Sequence, residues 1–303
     1  MNKLLLNTAV CAVALLSTSQ VLALNVVLTN DDGWDATGIQ AMKAALVADG
    51  HTVVLSGSLT QQSGSSAAIN TDTLEVIKQR DFGDEGALEY SVGILGTTDG
   101  AEPASAASVG IGIAQFVFQG DPDLVVSGIN AGQNLGGFTQ ISGTVGAATV
   151  TLSKSLGGGT LPAIAISTDE LCDPEVEAGC DEINGPIYEA AAEFVANLIM
   201  QLEPKGEDLM PEGLGLNINY PPLETVEGAL VTRQGQTGTF PGVPGNVSLT
   251  FGCYADCITV PNGTGIPAGI TGIVPIDETV ANADTTKNAD GYITIVPIRS
   301  DFT

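Results

Sequence analysis

A short apolar segment that ends in two adjacent carboxylates constrains the fold of this chain more than any other feature. Residues 24–28 (LNVVL) form a β-branched run bounded by turn residues, which is typical of a fully buried strand. Asn30, Asp31, Asp32 and Gly33 follow almost directly. In open parallel α/β sheets, ligands bind beyond the carboxyl ends of the strands. The segment therefore predicts an α/β fold with a ligand site beyond its first strand.

The neighbouring carboxylates of Asp31 and Asp32 allow two interpretations. Side by side at the end of a buried strand they repel each other and lose hydration, and a bound cation relieves both penalties. Asn, Asp and Gly are also ordinary turn residues, so the motif alone is compatible with a plain turn.

A second polar strand end favours the metal site. Residues 123–127 (DLVVS) form another apolar run, and they lead into a Gly-Ile-Asn segment that ends at Asn130. Because neighbouring strand ends of a doubly wound sheet converge on one crevice, Asn130 is expected beside Asp31 and Asp32. Ser63, in the loop after the second predicted strand, adds a fourth oxygen. Such oxygen ligands favour Mg²⁺, Mn²⁺ or Ca²⁺.

Alternating strand and helix patterns predict a mostly parallel sheet flanked by helices. Residues 36–49 have helical periodicity and lead through Gly50 into a strand at 51–55, which makes a strand–helix–strand unit. Further strands are predicted at 75–78, 90–95, 163–167, 214–219 and 293–298, and further helices at 104–118, 142–154 and 188–202. Helical periodicity is lost from about residue 222. The sequence thus predicts an α/β core at 24–221 and a β-rich C-terminal extension at 222–303.

The charge balance limits the partners of this chain. Among 303 residues, 35 are acidic and nine are basic, so the formal net charge is −26. A chain this acidic is unsuited to binding a nucleic-acid polymer or an anionic membrane through a basic face. A phosphorylated substrate would also be repelled at long range, so a bound metal would have to supply the local attraction.

The N-terminus has the pattern of a secretory signal peptide. Lys3 precedes an apolar run at 4–16, and small residues stand at the usual cleavage positions near 21–23. Residues 1–23 are therefore predicted to be removed on export, to the periplasm or the medium. No other segment is long and apolar enough to cross a bilayer.

Four cysteines remain after such cleavage. An even number in an exported protein suggests disulfides, of which Cys172–Cys180 and Cys253–Cys257 are the local pairing among three possible connectivities. A four-cysteine zinc site is the alternative, but the wide and irregular spacing argues against it.

A hydroxyl-rich helix start supplies a candidate phosphate site. Ser142, Gly143 and Thr144 open a predicted helix, where hydroxyls and free N–H groups form either an anion site or a plain N-cap. A metal beside a phosphate cradle indicates metal-assisted phosphoester hydrolysis. The P-loop and dinucleotide-binding glycine motifs are absent.

His51, the single histidine, is expected at the surface or a strand edge, so a Ser-His-Asp triad is hard to assemble.

Several motifs in this order resemble the SurE family of metal-dependent nucleotidases. The resemblance is carried by TNDDG (29–33), TGIQAMKAAL (37–46), QSG (62–64), DLVVSGINAGQNLG (123–136), ISGTVGAA (141–148), LNINYP (216–221), Asp284 and GYIT (291–294). It covers nearly the whole chain after the leader.

The resemblance implies a fold, an activity and roles for particular residues. The fold is a Rossmann-like core with a C-terminal extension that helps to form a homodimer or homotetramer. The activity is hydrolysis of nucleoside 5′- or 3′-monophosphates with Mn²⁺ or Mg²⁺. The implied metal ligands are Asp31, Asp32, Ser63 and Asn130, and the implied phosphate-binding residues are Asn134, Ser142, Gly143 and Thr144.

Some departures from the family pattern leave a second function open. The predicted leader and cysteine pairs make the chain more similar to secreted SurE-like acid phosphatases than to cytoplasmic members. Gln61 and Gln62 replace basic residues, and the proline of a pocket segment is displaced in GTTDGAEP (96–103). A non-catalytic module that binds a metal or nucleotide on the same fold is therefore the alternative to an enzyme.

Overall fold

The computed structural model describes residues 23–82, 87–154, 160–169, 171–172, 179–202, 209–240, 243–253 and 268–300. The predicted leader lies outside these residues except for its last position. The predicted Cys253–Cys257 pair also falls outside them, because Cys257 is not described.

Strands and helices are interspersed through the first two thirds of the described chain. The helices are α1 (Thr37–Ala48), α2 (Pro103–Phe118), α3 (Gly143–Thr151), α4 (Cys180–Leu202) and α5 (Asp284–Ala289). The strands are β1 (Asn25–Thr29), β2 (Thr52–Ser58), β3 (Leu74–Arg80), β4 (Ala87–Ile94), β5 (Leu124–Ala131), β6 (Ala163–Thr168), β7 (Leu214–Tyr220), β8 (Gly228–Val231), β9 (Gly238–Phe240), β10 (Val243–Cys253), β11 (Ala268–Pro275) and β12 (Tyr292–Arg299).

Nine strands form the main sheet in the order β3-β4-β2-β1-β5-β6-β7-β12-β8. The six strands from β4 to β7 in that order are parallel to one another. The outer strand β3 is antiparallel to β4, and β12 is antiparallel to β7. Strands β9, β10 and β11 form a separate antiparallel sheet. The predicted Rossmann-like α/β fold is confirmed.

The first strand is buried on both faces because helices cover the sheet on both sides. Val26 and Leu28 pack in the cluster that contains Ile39 of α1 and the apolar face of α4. Val27 points the other way, into the cluster that contains Ile111 of α2 and residues of α3. Each such side chain contributes about 1.5–3 kcal/mol by leaving water, so the unbroken apolar run stabilises both layers of the sandwich.

The segment after β6 is held to α4 near the start of that helix. A disulfide joins Cys172 to Cys180, as predicted for the first cysteine pair. Asn184 accepts a hydrogen bond from Leu171 N (3.1 Å) and donates one to the carbonyl of Cys172 (2.7 Å). Helix α4 thus begins eight residues earlier than the periodicity predicts and continues through Pro186.

The chain after residue 221 contributes to both sheets. Strand β12 lies between β7 and β8 in the main sheet, with Ile295 opposite Ile218 and Tyr292 opposite Gly228. The short helix α5 precedes β12, although helical periodicity is weak there. Among the described residues, no helix has the length and apolarity of a membrane span.

Candidate metal and phosphate site

The ends of two adjacent parallel strands bring the predicted metal ligands together. Strands β1 and β5 are neighbours in the sheet, with Thr29 opposite Ser127. The residues that follow, Asp31 and Asp32 on one strand end and Asn130 on the other, therefore lie at the same edge. A hydrogen bond of 2.9 Å from the backbone N–H of Ala131 to Asp32 Oδ2 joins the two strand ends directly.

Asn30 shapes the turn that carries the two carboxylates. Its Nδ2 donates to the carbonyl of Gly33 at 2.9 Å, and its Oδ1 accepts from the N–H of Gly33 at 3.3 Å. Trp34, next along, donates its N–H to the carbonyl of Ser58 at 2.9 Å, which ties the turn to the end of β2. Gly33 has a φ of 125°, a conformation open mainly to glycine. The turn is therefore fixed from both sides.

Asp31 is buried against the start of α3. Its side chain is 3% exposed, and its Oδ1 accepts a hydrogen bond of 2.6 Å from the Thr144 hydroxyl. Burial raises the pKa of Asp31 above its ordinary value, and bonds from the Thr144 hydroxyl and the backbone of Thr144 and Gly143 offset part of that rise. A buried carboxylate that is costly to ionise is the kind of group that a cation stabilises.

The helix start that was predicted to bind phosphate already makes two internal interactions. Ser142 is the N-cap of α3, and its hydroxyl accepts from the N–H of Val145 at 3.0 Å. The backbone of Gly143 and Thr144 contributes hydrogen bonds to Asp31. The plain N-cap function of Ser142 is thus present, and the first turn of α3 holds an anionic side chain of the chain itself.

Asn130 offers its side-chain oxygen to the site. Its Nδ2 donates to the carbonyls of Ala131 (3.2 Å) and Gly132 (2.6 Å), and the residue is 7% exposed. These two bonds orient the amide so that its nitrogen faces its own loop. The amide oxygen is then the atom of Asn130 with which a cation would interact.

The loop that carries Ser63 reaches the site through its neighbours. The N–H of Gln62 donates to the carbonyl of Asp31 at 2.7 Å, and the Ser66 hydroxyl donates to the carbonyl of Gln140 at 2.8 Å. Gly146 of α3 lies against the backbone of Ser66, where a Cβ would not fit. These contacts bring the loop to the site, and Ser63 itself is an exposed residue of that loop.

Asn134 lies on the far side of Thr144 from Asp31. Its Nδ2 donates to the hydroxyls of Ser167 (2.7 Å) and Thr144 (3.4 Å), and it is 7% exposed. A continuous line of hydrogen bonds therefore runs from Asp31 through Thr144 to Asn134. Asn134, a phosphate-binding residue only by the family resemblance, is thus linked to Asp31, which was identified from the end of a predicted strand.

Three further residues at the site were not assigned a role from sequence. Ser167, Asn217 and Asn219 are all fully buried, and each takes part in hydrogen bonds with Asn134. The sequence contains one signal for this role: Asn217 and Asn219 stand at alternate positions within the apolar run of the strand predicted at 214–219. Asn and Ser are costly in that setting unless each finds a partner.

His51 is not part of the site. It precedes β2, is 3% exposed and accepts a hydrogen bond of 3.1 Å from the N–H of Leu24 through its Nδ1. The expectation of a surface residue is therefore wrong, because the ring is buried and bonded to the residue before β1. Its place next to the start of a strand agrees with the other half of that expectation.

The donor set suits a hard divalent cation. In the described part of the chain, no group of three or more His, Cys, Asp or Glu side chains is placed to hold a metal ion. The oxygen atoms at the two strand ends are those of the Asp31 and Asp32 carboxylates and of the Asn130 amide, and Ser63 lies exposed on the neighbouring loop. Such donors match Mg²⁺, Mn²⁺ or Ca²⁺ rather than zinc.

Comparison with known proteins places this arrangement in a family. Residues 26–239 match the family described as survival protein SurE. The chain is 30% identical to the 5′-nucleotidase SurE of Nitratidesulfovibrio vulgaris strain DP4, over 92% of this chain and 95% of that protein. It is 32% identical to the 5′-nucleotidase SurE of Xylella fastidiosa strain M12, over 92% and 91% of the two chains. The crystal structure of the SurE protein from Aquifex aeolicus superposes with a TM-score of 0.64 at 26% identity, covering 92% of this chain and 94% of that one. The chain therefore belongs to the SurE family.

Proposed function

We propose that this chain is a phosphatase that requires a divalent metal and hydrolyses nucleoside 5′- or 3′-monophosphates to nucleoside and phosphate. Family membership and relatives that are 5′-nucleotidases support the reaction class. The observation that carries the proposal is the buried Asp31 carboxylate, which accepts a hydrogen bond from the Thr144 hydroxyl, beside Asp32, which is bonded to the neighbouring strand end.

The residues divide into those that hold the metal and those that hold the phosphate. Asp31, Asp32 and Asn130 would bind Mn²⁺ or Mg²⁺, and Ser63 would join them from its loop. When bound, the cation polarises a phosphoryl oxygen and makes a water molecule more acidic. One of the two carboxylates would accept the proton of the attacking water as the new P–O bond forms, and the leaving nucleoside oxygen would regain a proton as its own P–O bond breaks.

Asn134 and the start of α3 orient the phosphoryl group. The Ser142 hydroxyl accepts from the N–H of Val145 and would donate its own hydrogen to a phosphoryl oxygen. The Asn134 amide, which donates to the hydroxyls of Ser167 and Thr144, and the Thr144 hydroxyl, which donates to Asp31, would redirect hydrogen bonds to the phosphoryl group. Fixed donors of this kind are effective because they are held in place before charge develops on the phosphoryl oxygens. The net charge of −26 makes this local set necessary, since the rest of the surface repels an anionic substrate.

Export and oligomerisation belong to the same proposal. The leader pattern of residues 1–23 and the Cys172–Cys180 disulfide support a periplasmic or secreted protein, because disulfides persist in oxidising compartments. The assembly expected from the family resemblance is a homodimer or homotetramer. Light scattering on the purified chain measures its mass.

The first test compares two carboxylates of the same turn. The chain from Leu24 is assayed for phosphate release from a panel of nucleoside monophosphates with Mn²⁺, with Mg²⁺ and with a chelator. Asp31→Asn is expected to lower kcat/KM by about 100-fold or more, because a buried metal carboxylate is lost. Asp35→Asn is the matched control, since Asp35 is exposed on the same segment and should retain full activity.

A binding measurement separates an enzyme from a binding module. Trp34 is the only tryptophan of the chain and lies two residues from Asp32, so its fluorescence reports metal binding. Wild type and Asp35→Asn should respond to Mn²⁺, and Asp31→Asn should respond weakly. A folded wild type that binds Mn²⁺ but releases no phosphate from any substrate would establish the non-catalytic module instead.

A further inference from the structure

The main chain of Asn134 is held by side chains rather than by a strand or helix. Asn219 accepts from the N–H of Asn134 through Oδ1 at 2.7 Å, and its Nδ2 donates to the carbonyl of Asn134 at 3.2 Å. The Nδ2 of Asn217 (2.9 Å) and the hydroxyl of Thr139 (3.1 Å) donate to the same carbonyl. Asn219 is therefore the one described side chain that binds both backbone polar groups of Asn134.

The side chains of Asn219, Asn217 and Thr139 form a clamp on the backbone of Asn134. This clamp takes the place of the backbone hydrogen bonds that a strand or a helix would supply. Asn134 stands between Gly132, with a φ of 103°, and Gly136, with a φ of 52°, and neither conformation continues a strand. Without side-chain partners, the N–H and carbonyl of Asn134 would be buried and unsatisfied. The rigid strand β7 supplies those partners through Asn219.

Fixing the backbone of Asn134 also fixes the direction of its amide. With the backbone clamped, the side chain reaches the hydroxyls of Ser167 and Thr144. Asn219 is itself supported from the other side, because Asn288 of α5 donates to its backbone carbonyl at 3.3 Å. Asn219 is fully buried, at a strand position where an apolar residue would otherwise be expected.

We propose that Asn219 is a positioning residue that acts through Asn134 to hold the phosphate-binding amide in place. The proposal rests on the proposed function, in which Asn134 binds the phosphoryl group. It assigns no contact between Asn219 and substrate or metal. A displacement of the Asn134 amide by even 1 Å is enough to weaken binding and catalysis strongly.

The test uses Asn219→Asp, which keeps the shape and the acceptor but loses the donor to the carbonyl of Asn134. Asn219→Ser, smaller and neutral, is made in parallel in case the buried carboxylate prevents folding. Asn184→Asp is the matched control. Asn184 is 2% exposed, and it also accepts from a backbone N–H and donates to a backbone carbonyl, but on α4 away from the site.

Three measurements distinguish positioning from general destabilisation. The Asn219 variants should lose about tenfold to 100-fold in kcat/KM, and inorganic phosphate should inhibit them correspondingly more weakly. Their Mn²⁺ affinity, followed by Trp34 fluorescence, should stay within about threefold of wild type. In an Asn134→Ala background the same substitutions should cause no further loss, because their effect passes through Asn134.

Each alternative result has a definite meaning. If Asn219→Asp loses no more activity than Asn184→Asp at a similar loss of Tm, or if the losses in the Asn134→Ala background are additive, Asn219 has only a structural role. If wild type releases no phosphate, the proposed function fails, and calorimetric binding of inorganic phosphate with Mn²⁺ present becomes the readout. Phosphate binding by wild type and Asn184→Asp but not by the Asn219 variants would still support positioning. No binding by wild type would overturn it.

Discussion

The closeness of Gly143 to Asp31 limits which residue can stand at the start of α3. A Cβ on Gly143 would lie 2.7 Å from Asp31 Oδ2 and 2.9 Å from Pro103 Cγ. Both distances are shorter than carbon atoms tolerate in a packed interior. Glycine therefore allows the backbone of α3 to reach the buried carboxylate, and any larger residue separates the two.

Gly143→Ala should impair the site more than the fold. The added methyl displaces Asp31 or Pro103, so kcat/KM should fall by about 100-fold, while overpacking lowers the free energy of unfolding by about 1–3 kcal/mol. Phosphate release and urea denaturation measure the two effects. Gly112→Ala is the control: Gly112 lies in α2, and outside the backbone of that helix a Cβ there would meet no heavy atom within 4 Å. It should gain about 0.5–1 kcal/mol of stability and keep its activity. Wild-type kcat/KM in Gly143→Ala would show that the contact is not needed.

Two carboxylates after β11 join three separate segments beside the site. Glu278 Oε2 accepts from the N–H of Gln236 (2.9 Å) and from the N–H (3.0 Å) and hydroxyl (2.8 Å) of Thr237. Asp284 accepts from the N–H of Gly235 (2.7 Å) and of Gly136 (3.1 Å). The segment before β9 and the loop that follows Asn134 are thus tied to the C-terminal part of the chain. The relative positions of these segments therefore depend on side-chain hydrogen bonds rather than on the backbone hydrogen bonds of a sheet.

The stability contributed by Glu278 should depend on pH. Burial raises the pKa of Glu278, but hydrogen bonds from the backbone of Val280, Thr237 and Gln236 and from the Thr237 hydroxyl outweigh it and lower the pKa from 4.5 to about 2. A depressed pKa means that the stabilisation is complete above pH 4.5 and is lost as the pH falls toward 2. Because Glu278 is only partly buried, solvent screening reduces the contribution to about 1–2 kcal/mol.

Glu278→Gln should therefore be less stable than wild type by about 1–2 kcal/mol at pH 7. The difference should shrink below pH 4.5, because wild type then loses the same charge. Urea denaturation at a series of pH values measures it. Glu75→Gln, at an exposed position of β3, is the control and should leave the stability unchanged. A difference that stays constant across the pH range would contradict the assignment.

At the scale of the whole molecule, one strongly acidic surface surrounds a closely packed sheet. The formal net charge of −26 causes self-repulsion in the compact state. The core opposes this repulsion through the central strands of the nine-stranded sheet, which helices cover on both faces. The stability that results from charge repulsion and core packing should therefore depend on the salt concentration.

Chloride salts should raise the melting temperature of this protein. Salt shortens the range of charge repulsion from about 30 Å at 0.01 M to about 3 Å at 1 M. We expect Tm to rise by about 2–4 °C for each kcal/mol of relieved repulsion, measured by calorimetry in increasing KCl. At pH 4, where many carboxylates are neutral, the increase should be smaller. A Tm that is independent of KCl at pH 7 would show that the charges are too far apart to matter.

Much of the fold follows from local sequence pattern, and the exceptions have tertiary causes. The β-branched runs locate the parallel strands to within a few residues, because burial on both faces of a sheet demands unbroken apolar segments. Strand β5 instead continues to Ala131, past its predicted end at residue 127. The early start of α4 likewise lies beside contacts with the Cys172 segment that periodicity does not reveal.

Local sequence was sufficient to place Asp31, Asp32 and Asn130 at the carboxyl ends of buried strands, and the order of strands in space makes those two strands, β1 and β5, neighbours in the sheet. It was insufficient to find the clamp on Asn134, which joins residues 85 positions apart, or the bond from Gly136 to Asp284 across 148 positions. Hydrophobic periodicity shows which side chains are buried, but it does not show which buried polar groups meet. That choice depends on the register and order of strands in space, where each buried donor must find an acceptor.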